Sequence, residues 1–256
     1  MYRLPLAAYR VLDLGPGGAA AYAARLLGDA GAEVIAVERP PAGARSPLFR
    51  QLNRNKLGCT LDFATARGAA LLLRLAARCD VVVEGFEAAA RERLGLSYDA
   101  FHVARGDIVV ASVGGLDGAN STLGDVVAGT AAAAAVCAAL LHHRETGEGQ
   151  HVEVDARDCA LSFRGVSGAA RLPPREALLA DPHLRERRFF EPVSSMGGVE
   201  ETPALPWRLS LTPCHVRLPA PEPGEHNRYV FAGLLGLSEA EMEDLQRDGV
   251  IGPAPT

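Results

Sequence analysis

Hydrophobic and polar positions alternate between two periods along this chain, and the switches between them predict its elements. An apolar run VLDL at residues 11–14 is followed by the glycine turn Gly15 to Gly18. Then comes the helix-spaced stretch AAAYAARLLGDAGAE and a second apolar run, VIAVE, ending at Glu38. The order is strand, turn, helix, strand. Downstream, CTLDF reads as a short strand, and Thr65 caps ARGAALLLRLAARC, whose leucines recur at helical spacing. DVVVEGF is a buried strand, AAARERLG and SYDAFHVAR are short helices, and DIVVASV from Asp107 is another strand. Strands alternating with helices predict an α/β fold, a Rossmann-like parallel sheet with helices on both faces.

The longest apolar run, Val126 to Leu141, is 16 residues of mostly alanine, short and weakly hydrophobic for a membrane span. It reads as a buried helix opened by Asp125, with His142, His143 and Arg144 at its negative end and Gly147 beyond. The histidine pair complements the helix dipole, since adjacent positions diverge on a helix and do not converge on a metal. His151 alternates with valines in HVEV and reads as a core or edge residue. Ser238 to Glu241 form a capping box that opens the last helix. Residues 40–56 read as an irregular loop.

Composition narrows the class. At 256 residues with 48% hydrophobic and 22% charged positions, the chain can bury one large core with appendages. A net charge of -5 argues against a nucleic-acid or acidic-membrane partner. The five cysteines are scattered with no CxxC pair, so neither a disulfide framework nor a metal site is expected, and a cytoplasmic location fits. The N-terminus shows no uninterrupted apolar signal region.

Against that acidic background, Arg39, Arg45, Arg50, Arg54 and Lys56 gather within 18 residues with no acid between Arg39 and Lys56, and Lys56 is the only lysine. Guanidinium forks and an ammonium group suit several phosphates on one ligand, whereas a solvated loop is the plain alternative. The glycine turn also satisfies a dinucleotide fingerprint, Gly15-x-Gly17-x-x-Ala20 with Glu38 as a ribose acid, so an NAD(P)-binding oxidoreductase is a second reading.

The ordered pieces RVLDL, GAEVIAVER, LNRNK, TLDF, DVVVEGF, RERLGLSYDA, ALLHHRETGEGQHVEV, LADPHLRERRFFEPV, LPWRLSLTP and GEHNRYVFAGLLGLSEAEMEDLQRDGVI run from residue 10 to 251. Together they resemble the family III (CaiB/BaiF) CoA-transferases. The resemblance implies a CoA-binding large domain over 1–164, a remnant of a small domain over 165–205, and a tail over 206–256 that returns to the large domain. It implies a protein that binds CoA or acyl-CoA, the family moving CoA between carboxylic acids or, in racemase relatives, a proton beside the thioester. CoA is substrate there, and no metal or other cofactor is implied. As CoA-lining positions the resemblance carries over Gly17, Gly18, Arg39, Asn53, Arg54, Asn55, Lys56, Glu84, Gly85, Phe86 and Arg93. Family members usually have asparagine at the position of Gly85, and some have glutamine at that of Gly18.

Two departures bear on chemistry. Relatives place an aspartate nucleophile between the ASV-like strand and the long helix, where this chain has only GGLDGANSTLGDVVAG. No residue matches the nucleophile: Asp117 lies in a glycine turn and Asp125 matches the acid that opens the helix. Between Asp155 and LADPHL most of the small domain is missing. A misplaced carboxylate forfeits about 7–11 kcal/mol of positioning advantage in forming the mixed anhydride, so catalysis by this chain alone is not expected. A homodimer, or a companion subunit that completes the site, is the expected partner.

Overall fold

Six strands form one all-parallel sheet: Arg10–Asp13 (β1), Glu33–Glu38 (β2), Lys56–Thr60 (β3), Val81–Glu84 (β4), Val109–Val113 (β5) and His151–Val154 (β6). Their spatial order is β3-β2-β1-β4-β5-β6. The computed structural model describes residues 3–15, 17–43, 45–114, 121–156, 158–159, 175–186, 189–195, 198–205 and 209–252. The order reverses between β1 and β4, and in open α/β sheets the crevice at the carboxyl ends beside such a reversal is where ligands bind.

Alternation along each strand builds two cores. Val11, Val34, Val81, Val83, Val109 and Ala111 face one way, against helices Gly18–Asp29 (α1) and Ser121–Thr146 (α6). Leu12, Ile35, Val82 and Val110 face the other, against Ala66–Ala76 (α3) and Tyr98–Ala104 (α5). The short helix Ala88–Arg93 (α4) joins β4 to α5. A strand buried on both faces reads as a near-continuous apolar run, which is why VVVE and VVASV carry so little polarity.

Two expectations change. The loop at 40–56 contains a helix, Pro47–Asn53 (α2), because Ser46 caps it by accepting the Phe49 N–H at 3.1 Å and Pro47 occupies its first turn. The long helix begins at Ser121, so Asp125 sits in its second turn and does not cap it. At 26 residues, with a mean hydropathy of 1.8 over Gly124–Thr146, α6 is long and apolar enough to cross a membrane, yet Ala128, Ala132, Val136 and Leu140 are buried against α1 and the sheet.

Beyond the sheet lie two short helices, Arg175–Ala180 (α7) and Pro182–Glu186 (α8). An antiparallel hairpin follows, Phe190–Ser195 (β7) with Gly198–Pro203 (β8). Residues 165–174, 187–188 and 196–197 of the expected small-domain remnant lie outside the described residues. The tail then crosses back to the α3 face, where Val230 and Phe231 of a π-helical segment, Arg228–Leu234, join the core with Met242 and Leu245 of Glu239–Arg247 (α9). Asn227 fixes that return: its Oδ1 accepts the Thr60 N–H at 2.9 Å and its Nδ2 donates to the Gly252 carbonyl at 2.9 Å. The expected capping box of Ser238 and Glu241 opens α9.

Candidate nucleotide cleft

A cleft of about 600 Å³ opens at the carboxyl ends of β1 and β2. Gly17 and Gly18 of the glycine turn line it, with Glu38 and Arg39 from the end of β2 and Leu48, Phe49 and Leu52 from α2. Phe63 and Phe86 close it with rings edge to face at 5.9 Å. Arg39 is half exposed; its Nε donates to Asp62 Oδ1 at 2.9 Å and its guanidinium carbon lies 5.8 Å from the Phe63 ring centre. An apolar slot edged by aromatic rings, with a guanidinium at its mouth, suits a planar heterocycle carrying an anionic group.

The basic loop does not act as one patch. Lys56 is fully buried: Nζ donates to Asp13 Oδ2 at 2.7 Å, to the Ala21 carbonyl at 3.0 Å and to Asn53 Oδ1 at 3.0 Å. Burial lowers its pKa, against the pull of Asp13. Arg54 is equally buried, donating Nη2 to Asp29 Oδ2 at 2.7 Å and Nη1 to Thr202 Oγ1 at 3.1 Å and to the Pro203 carbonyl. Asn55 Nδ2 donates to Asp29 Oδ1 at 2.6 Å, and its Oδ1 accepts the Arg217 and Leu218 N–H groups at 2.6 and 2.8 Å. Internal partners thus hold the side chains of Arg54, Asn55 and Lys56, three of the expected CoA-lining positions, in the core. Asn53 reaches the cleft wall, but its side chain is held by Phe49 and Lys56. Arg45 turns to Glu38 at 2.9 and 3.0 Å and stacks on Phe49 at 4.2 Å, so the expected ribose acid is already engaged.

Glu84, another of the expected positions, is also turned inward. It is fully buried, accepting from Arg91 Nη1 and from the Phe86 N–H at 2.8 Å each, so it shapes the turn after β4 from inside. Gly85 and Phe86 face a second opening of about 660 Å³ at the ends of β4, β5 and β6, which carries Glu87, Arg91, Glu153, Asp155 and Asp158. Arg93 is exposed on α4 and lines neither opening. His151, on edge strand β6, bonds Ser112 Oγ at 2.9 Å and stacks on Tyr98 at 5.2 Å. Among the described residues no group of three His, Cys, Asp or Glu side chains could hold a metal ion.

Two contributors escaped the sequence reading, Phe49 and Phe63 of the aromatic wall. The Ser46-Pro47 cap signature was the available signal for α2 and hence for Phe49. Asp125, on α6, has its carboxylate oxygens 3.5 Å from where a side chain at Gly18 would begin, and burial raises its pKa. Asp117 lies outside the described residues, and seven residues, 114–120, separate the end of β5 from the start of α6.

Comparison with known proteins is consistent with this geometry. A model of CoA-transferase family III matches residues 6–122 and 117–171. The alpha subunit of succinyl-CoA–L-malate CoA-transferase from Chloroflexus aurantiacus is 28% identical over 200 residues, 59% of this chain and 46% of that protein. The chain spans about half the length of the curated relatives it matches. A crystal structure of Rv3272 from Mycobacterium tuberculosis superposes with a TM-score of 0.77 at 21% identity, covering 88% of this chain and 98% of that one. One of a CaiB/BaiF family protein from Brucella suis gives 0.75 at 17% identity over 91% and 100%.

Proposed function

This chain belongs to CoA-transferase family III, and we propose that it binds CoA or acyl-CoA, holding the nucleotide end in the cleft at the ends of β1 and β2. The observation that carries this reading is the pairing of Arg39 with the Phe63 and Phe86 wall: a ring enters the apolar slot and a phosphate meets the guanidinium. The thioester end would then extend past Phe86, which borders both openings, toward the ends of β4 and β5. The family reaction is transfer of CoA between carboxylic acids.

A second reading, of binding without self-sufficient transfer, is favoured by the seven residues between β5 and α6, which leave little length for a nucleophile segment. On that reading the chain works as a homodimer or with a companion subunit; one relative is itself named an alpha subunit. A dinucleotide role is disfavoured by the engagement of Glu38 with Arg45. Five free thiols support a cytoplasmic setting.

Calorimetric titration of the whole chain with CoA and with NADP tests the ligand. CoA is expected to bind more tightly, and Arg39→Gln to weaken it roughly tenfold, the loss expected for one charge-assisted contact. No CoA binding, or CoA binding indifferent to Arg39, overturns the assignment. Mass analysis of mixtures with acyl-CoA and free acids reads transfer separately, and turnover by the isolated chain would remove the second reading.

A further inference from the structure

We propose that Ser112 and His151 form a nucleophile and base pair that hydrolyses thioesters of uncharged acyl groups at the second opening, at the ends of β4, β5 and β6. The proposal rests on the reading that brings the thioester end of CoA to this place. It assigns an activity separate from CoA transfer.

A serine hydroxyl attacks a carbonyl when a base takes its proton, so the two side chains must lie within hydrogen-bond reach and the base must be held in orientation. Both conditions are met across adjacent strands. Ser112, at the carboxyl end of β5, lines the opening of about 660 Å³, and its Oγ is 2.9 Å from His151 Nε2 on β6. The Tyr98 ring of α5 lies flat on the imidazole, centres 5.2 Å and planes 9° apart, which fixes the ring plane. With Nδ1 carrying the ring proton, Nε2 accepts the Ser112 O–H. Oγ then bonds the thioester carbonyl carbon as Nε2 takes that proton, the C–S bond breaks, and the thiolate leaves with the proton. Water adds to the acyl-serine, giving its own proton to Nε2, and Oγ departs taking it back. Thioester and water thus become carboxylic acid and thiol. Arg91 lines the same opening and spends Nη1 on Glu84, so its other N–H groups can meet the developing oxyanion. Glu87, Glu153, Asp155 and Asp158 are exposed at this opening, Glu153 in register with Ser112. Water therefore reaches the site, and a second carboxylate on the acyl group is repelled.

The test incubates the full chain with acetyl-CoA and with S-acetyl-N-acetylcysteamine, a thioester without a nucleotide, in the absence of any acceptor acid. Released thiol is followed by chromatography. The parent is expected to cleave both. Ser112→Ala and His151→Gln, checked for a cooperative thermal transition, are each expected to lose roughly 100-fold or more in rate, the scale of general-base activation. Should a variant fail to fold, the parent alone decides: a fluorophosphonate, which captures activated serine hydroxyls, is expected on Ser112 by peptide mass mapping, and a parent unlabelled there overturns the proposal. Cleavage of neither thioester by the parent, or a folded Ser112→Ala protein as fast as the parent, overturns it too. Succinyl-CoA cleaved faster than acetyl-CoA overturns the preference for uncharged acyl groups. Cleavage of the cysteamine thioester without that of acetyl-CoA would uphold the pair and remove the CoA reading, so the two failures are told apart.

Discussion

Lys56 Nζ donates to Asp13 Oδ2 at 2.7 Å where the two side chains are 0% and 1% exposed, and Asp13 Oδ1 in turn accepts the Gly15 backbone N–H at 2.9 Å. The only lysine of the chain thus acts on the glycine turn through an aspartate, from beneath. Removing one member of a buried pair leaves an uncompensated charge and costs about 3–5 kcal/mol, whereas replacing both by apolar groups is often close to neutral. Lys56→Met is therefore expected to lower unfolding free energy in urea by that amount, and Lys56→Met with Asp13→Leu to recover most of it. A single variant as stable as the parent would show that the pair is not held as described.

Asn55 joins the tail to the large domain. Its φ of 58 lies in the left-handed region, and its Oδ1 receives two successive N–H groups, from Arg217 and Leu218. Asn55→Ala loses both bonds and strains the backbone, whereas Asn55→Gly loses the bonds alone. Both are expected to speed proteolytic cleavage near residues 209–220. The alanine variant should be the less stable by about 1 kcal/mol, the cost of a non-glycine residue in that conformation. Equal stability of the two variants would remove the strain argument.

The thiols sort by burial. Burial pushes Cys79 up to about 12 and raises Cys59 too, and both lie in the core; Cys137 is raised by burial as well but opens to solvent on α6. Since the thiolate is the reactive form, a disulfide reagent at pH 8 is expected to modify Cys137 in the native protein, faster as pH rises, while Cys59 and Cys79 react only after unfolding. Native-state modification of Cys59 would show that the sheet opens under those conditions.

The strands were legible because burial on both faces demands uninterrupted apolar runs, and VVVE and VVASV sit where they were expected. The glycine turn at the mouth of the cleft was legible for a similar reason, its residue type being fixed by backbone geometry. The fate of the basic loop was not. Charge in sequence marks solvent or ligand as a rule, and only the fold reveals that Asp13 and Asp29, 43 and 25 residues upstream of Lys56 and Arg54, come to neutralise them. The place of Asp125 was hidden for the converse reason: an acid early in a helix reads as its own cap, while here it sits in the second turn with its carboxylate near Gly18 of the helix beside it.

Helices α1 and α6 pack closely, and Gly129 sets the approach. A Cβ there would stand 2.6 Å from the Ala19 carbonyl oxygen and 3.0 Å from Tyr22 Cβ, backbone on one side and a ring stem on the other, with little freedom to give. Gly129→Ala must push the helices apart, at a cost typical of overpacking, about 1–3 kcal/mol, partly offset by the better helix propensity of alanine. The variant is thus expected to melt earlier than the parent in a thermal scan, and a Gly129→Ala protein as stable as the parent would show that the two helices have room to give there.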